Sequence, residues 1–162
     1  EICTGSVDGI VRTYDLRKGE LRSDALGDDV AITSIVPTSD GLTNIISTLD
    51  GRLHILERST GDSIQTFGGG HTAGRYSLQC AVSADDEYIV CGSEDGAAVV
   101  YDFASGKVRQ MLRGHVRPTC SVACHPGRGG SDVAAASVVI SGSYDGQGVV
   151  WTNGDSHLIE LE

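Results

Sequence analysis

Short runs of apolar residues recur along the whole chain, and turns rich in Gly and Asp separate them. Val, Ile, Leu and Tyr dominate these runs, and several of them alternate apolar with polar residues at the period of two that is typical of a β-strand. Long stretches with the i, i+3, i+4, i+7 spacing of an amphipathic helix do not occur. The pattern therefore predicts an all-β fold.

Residues 71–113 show how the runs combine into one unit. The Asp95-Gly96 pair between two apolar runs is a strong signal for a β-hairpin, and Ala-Ser-Gly at 104–106 marks a further turn. This unit is therefore predicted to be a four-stranded antiparallel meander. Its predicted strands are SLQCAVSA (77–84), YIVCGS (88–93), AAVVYD (97–102) and KVRQML (107–112).

The same order of strands recurs in four units, which we place at 1–27, 28–70, 71–113 and 114–162, and the first unit lacks its opening strand. Each unit contains an Asp-Gly pair, and the Asp residues lie 42, 45 and 50 residues apart. A period of this length indicates one supersecondary unit used several times. A catalytic Asp is needed once, whereas a turn Asp is needed in every unit, so the repetition favours turns. The four residues are Asp8, Asp50, Asp95 and Asp145.

Composition narrows the classes of function. The 162 residues carry a net charge of −10, which argues against broad contact with nucleic-acid phosphates. The number of cysteines, five, is odd, and they form no C-x-x-C motif, so we expect free thiols. Free thiols are typical of a reducing compartment, so we expect the protein in the cytoplasm, in the nucleus or in both. No run approaches the roughly 20 apolar residues of a membrane span.

Two features suggest chemistry, and each has a simpler structural interpretation. Gly68-Gly69-Gly70 lacks the strand, helix and Lys that accompany a phosphate-binding loop, so we expect a loop between units. Cys120, Cys124 and His125 have no second ligand pair at zinc spacing and are expected to pack as ordinary side chains. We therefore expect no metal, no cofactor and no enzymatic activity, and an enzyme built from scattered Asp, His and Ser is the competing class.

Dipeptides at fixed places in the units are informative about the family. Gly70-His71 and Gly114-His115 precede first strands, and the third strands end in Tyr14-Asp15, Leu56-Glu57, Tyr101-Asp102 and Trp151-Thr152. Together with four-stranded units of this period, they resemble the signature of WD-repeat propellers. The resemblance covers essentially the whole chain. It implies about four blades, the first incomplete, from the C-terminal part of a probable seven-bladed ring.

In such blades a His, a Ser or Thr, the turn Asp and the Trp of the third strand form a hydrogen-bonded network. The resemblance assigns the network of the last blade to His115, Asp145, Trp151 and a serine near Ser143. In the third blade it implies His71, Ser93 and Asp95, with Tyr101 in place of Trp. Such a network rigidifies a turn, so these residues are expected to be structural.

Three longer stretches are similar to the mitogen-activated protein kinase organizer family, WD-repeat scaffolds that are also found in spliceosomes. They are EICTGSVDGIVRTYDLRKGEL (1–21), ISTLDGRLHILERSTGDSI (46–64) and VCGSEDGAAVVYD (90–102). The connection at 125–139 is longer than usual, and the last blade is closer to a generic WD repeat. This similarity implies a non-catalytic scaffold for a kinase module, a component of pre-mRNA splicing, or both. The alternative is a subunit of another complex, such as a ubiquitin-ligase substrate adaptor.

The resemblance also implies a partner-binding surface on the face that carries the Asp turns. Its positions lie just before the first strands and just before each turn Asp, and Arg and Tyr there are types enriched at interface hot spots. For Tyr76, packing against the neighbouring blade is an equal alternative. Kinase-module or spliceosomal proteins are the implied partners, and direct contact with nucleic acid is not expected. The candidate residues are Arg75, Tyr76, Leu78, Glu94, Arg117 and Tyr144.

Overall fold

The computed structural model describes residues 1–27, 30–126 and 138–152, together with the backbone of the strand Ser156–Glu160. These residues form fifteen β-strands in four antiparallel sheets, which confirms the predicted all-β fold. Each predicted unit contains the strands of one sheet, and we call the sheets blades 1 to 4 in chain order. Most of the long connection at 125–139 lies outside the described residues.

Blade 1 has three strands and the other blades have four, and neighbours in each sheet are neighbours in the chain. The strands of the first two blades are β1 (Ile2–Gly5), β2 (Ile10–Asp15) and β3 (Glu20–Ala25), then β4 (Ile32–Pro37), β5 (Thr43–Thr48), β6 (Arg52–Glu57) and β7 (Ser63–Gly68). Blades 3 and 4 contain β8 (Cys80–Val82), β9 (Tyr88–Gly92), β10 (Ala97–Asp102) and β11 (Val108–Arg113), then β12 (Thr119–Cys124), β13 (Val139–Ser143), β14 (Gln147–Trp151) and β15 (Ser156–Glu160).

The first strand of blade 3 is shorter than the sequence predicts, because β8 covers only Cys80–Val82 of the predicted 77–84. The backbone N–H of Gln79 donates to the carbonyl oxygen of Cys120 in blade 4 at 3.0 Å, whereas its carbonyl oxygen still accepts the N–H of Gly92 in its own blade at 3.1 Å. After β8, the N–H of Asp86 donates to the carbonyl oxygen of Ser83 at 3.0 Å and begins the turn. A bond to the neighbouring blade thus takes over where the strand was expected to start.

The core lies between the blades rather than within one of them. Ile45 on β5 belongs to a buried cluster shared with blade 3, whereas the next residue, Ile46, belongs to a cluster shared with blade 1. Val90 on β9 likewise packs toward Val122 of blade 4. Successive side chains of a strand point to opposite faces, so the middle strands of blades 2 and 3 are buried on both sides. This is why their sequences are continuous apolar runs rather than alternating ones.

Polar contacts also join adjacent blades. The guanidinium of Arg22 in blade 1 donates to the carbonyl oxygens of Ser59 at 2.5 Å and Arg58 at 2.8 Å in blade 2. The hydroxyl of Ser47 donates to the carbonyl oxygen of Leu78 across the next seam at 3.3 Å. These bonds satisfy backbone carbonyls that the strand ladders leave free, so they fix each blade against its neighbour.

Candidate functional site

The four Asp-Gly pairs that recur once per unit form the same turn, in which the Asp carboxylate accepts the backbone N–H two residues further on. The Oδ1–N distances are 3.1 Å for Asp8, 3.3 Å for Asp50, 3.3 Å for Asp95 and 3.0 Å for Asp145. The glycines that follow have φ between +73° and +82°, a left-handed conformation that glycine adopts without steric cost. The repeated Asp therefore shapes a hairpin in every blade.

The second carboxylate oxygen of each turn Asp has a cationic or ring-nitrogen partner, and that partner differs between blades. Three turns use an arginine and only the turn of blade 4 uses a histidine. The pairs are Asp8–Arg12 at 2.8 Å, Asp50–Arg52 at 3.3 Å, Asp95–Arg113 at 3.2 Å and Asp145–His115 at 3.2 Å.

In blade 4, four side chains form a continuous chain of hydrogen bonds. The indole Nε1–H of Trp151 on β14 donates to Oγ of Ser141 on β13 at 2.8 Å, and the same Oγ lies 2.8 Å from Nε2 of His115. Nδ1 of His115 lies 3.2 Å from Oδ2 of Asp145. The Asp turn is thus tied to both strands of its hairpin and to the loop before β12.

The hydrogen-bonding capacity of each group indicates where the protons lie. A carboxylate only accepts, so Nδ1 of His115 carries the proton that it donates to Asp145. In a neutral imidazole Nε2 is then an acceptor, so the Ser141 hydroxyl donates to it while accepting the Trp151 proton. Burial raises the pKa of Asp145, but two backbone N–H groups and the His115 ring outweigh it and hold that pKa below its ordinary value of 3.8.

Blade 3 contains a shorter version of this network. Nδ1 of His71 lies 2.7 Å from the hydroxyl of Tyr101, which is fully buried, and Cys91 takes the place that Ser141 has in blade 4. Burial raises the pKa of Tyr101 and lowers the pKa of His71, so both side chains are neutral at pH 7. The tyrosine hydroxyl reaches the histidine directly, and no intervening serine is needed.

The structure corrects the predicted link between His71 and Asp95. Asp95 pairs with Arg113 instead, at 3.2 Å, and Oγ of Ser93 accepts the backbone N–H of Thr72 at 2.9 Å. His71 needs its Nδ1 for Tyr101, so Asp95 turns outward to the arginine of β11. The third blade therefore keeps the turn and the histidine but joins them through the backbone.

The glycine before each of these histidines has a packing role that sequence reasoning missed. A Cβ on Gly70 would lie 2.6 Å from the hydroxyl oxygen of Tyr101, and one on Gly114 would lie 2.9 Å from Cη2 of Trp151. The aromatic side chain of the third strand therefore lies against the glycine. The sequence contained a clue to this contact, since both Gly-His pairs belong to blades whose third strand ends in an aromatic residue, Tyr101 or Trp151.

Two exposed tyrosines connect blades 3 and 4 on the face that carries the Asp turns. The rings of Tyr76 and Tyr144 pack at a centroid distance of 5.1 Å with an interplanar angle of 45°, an offset arrangement that aromatic pairs favour. Tyr76 is 39% exposed and Tyr144 is 51% exposed. Tyr76 therefore packs against the neighbouring blade and still presents part of its ring to solvent. We call this pair the tyrosine bridge.

The carboxylate of Glu94 holds the loop that carries Tyr76. Its Oε1 accepts the backbone N–H of Arg75 at 2.6 Å and that of Tyr76 at 3.0 Å. Glu94 directly precedes the turn Asp of blade 3, so the hairpin holds the loop that carries Tyr76. On the other side, the backbone N–H of Tyr144 donates to the carbonyl oxygen of Pro118 at 3.1 Å. Both tyrosines are thus fixed through their backbones.

The remaining candidate residues of this surface divide into exposed and buried. Arg75 and Arg117 are exposed, and neither forms an ion pair within the part of the chain that the structure describes. Leu78 is only 3% exposed, which corrects its assignment to a partner-binding surface. Burial of its side chain removes apolar surface from water and leaves none for a partner to contact.

The comparisons with known proteins agree with this geometry. The family described as WD domain, G-beta repeat matches residues 61–102, which contain the Gly-His pair, the Asp turn and the aromatic residue of blade 3. The chain is 37% identical over 126 residues to the WD repeat domain-containing protein 83 of Rattus norvegicus, covering 78% of this chain and 39% of that protein. This chain is a WD-repeat protein.

Similar identities extend to distant organisms. The WD-repeat chain is 37% identical over 113 residues to the human protein of the same name, covering 70% of the chain and 35% of the relative. It is 32% identical over 128 residues to the homologue in Dictyostelium discoideum, covering 79% and 38%. The chain thus spans less than half the length of the curated relatives it matches.

The structure identifies the serine of the blade 4 network as Ser141 rather than Ser143. The predicted Ser143 donates instead to the carbonyl oxygen of Arg117 at 2.9 Å, and Ser141 fills the network position. Trp151 pairs across the ladder with Val139, so Ser141, two residues further on, shares the face of the indole. Counting by two from the residue opposite Trp151 would have identified it.

No helix in the described residues of this WD-repeat protein is long and apolar enough to cross a membrane.

Proposed function

We propose that this WD-repeat protein is a non-catalytic scaffold whose protein partners bind the face that carries the Asp turns. The observation that carries the proposal is the tyrosine bridge, an exposed aromatic pair held by Glu94 across a seam between blades. Tyr and Arg are enriched among the residues that dominate binding energy at interfaces. A surface whose backbone is already fixed loses little entropy on binding, which favours affinity.

The similarity to proteins named WD repeat domain-containing protein 83, and to the mitogen-activated protein kinase organizer family, supports a particular partner class. The proposed partners are proteins of a kinase module, of the splicing machinery, or of both, inside the cell. Recognition through protein surfaces suits a chain with a net charge of −10, since a phosphate backbone would be repelled. Arg75 and Arg117 lie next to the tyrosine bridge and would contact the same partner.

The groups that could suggest catalysis have structural partners, which supports a scaffold rather than an enzyme. His115 and Asp145 form part of the blade 4 network, and His71 bonds to the buried Tyr101. Asp8, Asp50 and Asp95 each accept a backbone N–H in a turn. A residue that performs chemistry needs access to substrate, and these side chains hold the blades in shape.

The proposal is tested by affinity capture of the protein at its natural length, followed by mass spectrometry. Tyr76→Ala and Tyr144→Ala are compared with the unchanged protein, and Tyr14→Ala is the matched control because Tyr14 is 37% exposed in blade 1. We expect both bridge variants to lose the same partners, with a loss of roughly thirtyfold in affinity for a hot-spot residue. Tyr14→Ala should retain them.

The identity of the captured proteins separates the parts of the proposal. Kinases and their substrates support the signalling role, and splicing factors support the nuclear one. If the captured proteins belong to another class, both the signalling role and the splicing role are wrong, but the proposed binding surface still stands. Partners that survive both bridge substitutions unchanged would refute the surface itself, provided that circular dichroism shows the variants to be folded.

A further inference from the structure

Two of the five cysteines lie opposite each other in the core between blades 2 and 3. Cys80 on β8 is the cross-strand partner of Cys91 on β9, and both thiols are free. Cys3 and Cys124 face Thr13 and Val139 instead, so neither can reach another thiol across its ladder. Cys120 falls at the register shift between Thr119 and Ser121 and has no residue opposite it, so Cys80 and Cys91 are the one cysteine pair in direct register within the described ladders.

The backbone hydrogen bonds show which kind of pair this is. The N–H of Gly92 donates to the carbonyl oxygen of Gln79 at 3.1 Å, and the N–H of Ser83 donates to the carbonyl oxygen of Tyr88 at 2.9 Å. Bonds at these flanking positions make Cys80 and Cys91 a non-hydrogen-bonded pair, in which the Cα atoms lie about 4.5 Å apart and side chains approach most closely. A disulfide requires a Cα separation of roughly 4.4–6.8 Å, so the backbone already meets the requirement.

The same pair of positions in the other blades carries no thiol. In blade 2 it is occupied by Ile35 and Ile46, and in blade 4 by Val122 and Ser141. In the other two blades, this pair of positions is therefore filled by apolar side chains or by the serine of the hydrogen-bonded network. Packing alone does not require two cysteines there, since Cys80 and Cys91 fill a position that aliphatic side chains fill elsewhere in the same protein.

We propose that Cys80 and Cys91 are a redox modification site that forms a reversible intramolecular disulfide with a small peroxide as oxidant. One thiol reacts with hydrogen peroxide to give a sulfenic acid and one water. The second thiol displaces the hydroxyl group of that sulfenic acid, the S–S bond forms and a second water leaves. Two thiols are oxidised, one peroxide is reduced, and an external thiol reverses the change by exchange.

The environments of the two sulfurs differ. A hydrogen bond with Cys91 lowers the pKa of Cys80, whose Sγ also donates to Oγ of Ser34 at 3.6 Å, while burial raises the pKa of Cys91. Whichever sulfur is oxidised first, the other is in register to displace the hydroxyl group. Both side chains are buried, at 4% and 1% exposure, so the reaction proceeds through opening of the three-residue strand β8. It is slower than oxidation of an exposed thiol but is directed to one product.

The sequence supplies a direct assay. Lys and Arg are missing between Arg75 and Lys107, so one tryptic peptide, 76–107, contains both cysteines, while Cys3, Cys120 and Cys124 fall in other peptides. The protein at its natural length is treated with hydrogen peroxide, free thiols are blocked, and peptides are analysed by mass spectrometry. We expect peptide 76–107 from the oxidised protein to carry no blocking group and to be two hydrogen atoms lighter than the unblocked, reduced peptide. Dithiothreitol should restore the two thiols, which can then be blocked. A parallel sample in urea below the unfolding transition should react faster, because β8 opens more often.

Single substitutions test the pairing. Cys91→Ser places the residue of blade 4 at this position and should abolish the disulfide, and Cys120→Ser is the matched control that should leave it unchanged. The proposal is overturned if peptide 76–107 keeps both thiols, with and without urea, while peptides containing Cys120 and Cys124 are oxidised. It is equally overturned if the oxidised protein links Cys80 or Cys91 to a different cysteine.

Discussion

The serine at the centre of the blade 4 network provides the sharpest test of the structure. In Ser141→Ala the indole N–H of Trp151 and Nε2 of His115 both lose their partner, and Ser141 is fully buried, so water does not replace it. Each buried polar group left unpaired costs roughly 1–3 kcal/mol, so with two such groups we expect the variant to lose about 2–6 kcal/mol of unfolding free energy. Ser143→Ala, at a part-exposed position, should lose about 1 kcal/mol or less.

The assay is urea unfolding of the protein at its natural length, followed by circular dichroism, with both variants and the unchanged protein measured side by side. The midpoint should fall much further for Ser141→Ala than for Ser143→Ala, with equal slopes. Amide hydrogen exchange in β13 and β14 then shows whether the loss is local to blade 4. The reasoning is refuted if Ser143→Ala is the more damaging change, or if Ser141→Ala changes stability by less than about 0.5 kcal/mol.

Three further predictions follow from individual contacts. Thr119→Val should stabilise the protein by about 1 kcal/mol in the same urea assay, because the Thr119 hydroxyl is buried and makes no hydrogen bond among the described residues; a loss of stability would contradict this. Gly114→Ala should cost roughly 1–3 kcal/mol, because its Cβ would press on Trp151 at 2.9 Å; an unchanged midpoint would show that the indole moves freely. Asp145 contributes stability above its unfolded pKa of 3.8 and loses it as the pH falls through its lower folded pKa. The stability advantage over Asp145→Asn should therefore shrink below about pH 4, and an advantage that grows with acid would contradict the assignment.

Much of the candidate site could be predicted because it repeats. The Asp-Gly pairs occur in every unit, so their role in turns follows from counting, and the turn chemistry of Asp and Gly explains it. The exact partner of each Asp could not be predicted in this way. Asp145 is tied to a histidine and Asp95 to an arginine of its own blade, and side-chain reach in three dimensions decides between them.

The sequence alone determined the number of strands, their order in four units and the family resemblance, because period-two alternation, turn residues and repeat length are local properties of the chain. Tertiary structure decided everything that depends on two blades meeting. It buried Leu78, which the repeat position had suggested was a contact residue, and it brought Tyr76 against Tyr144. It also set Cys80 opposite Cys91, since register depends on which backbone groups bond across the ladder. Contacts between blades join residues distant in sequence, and no local pattern records them.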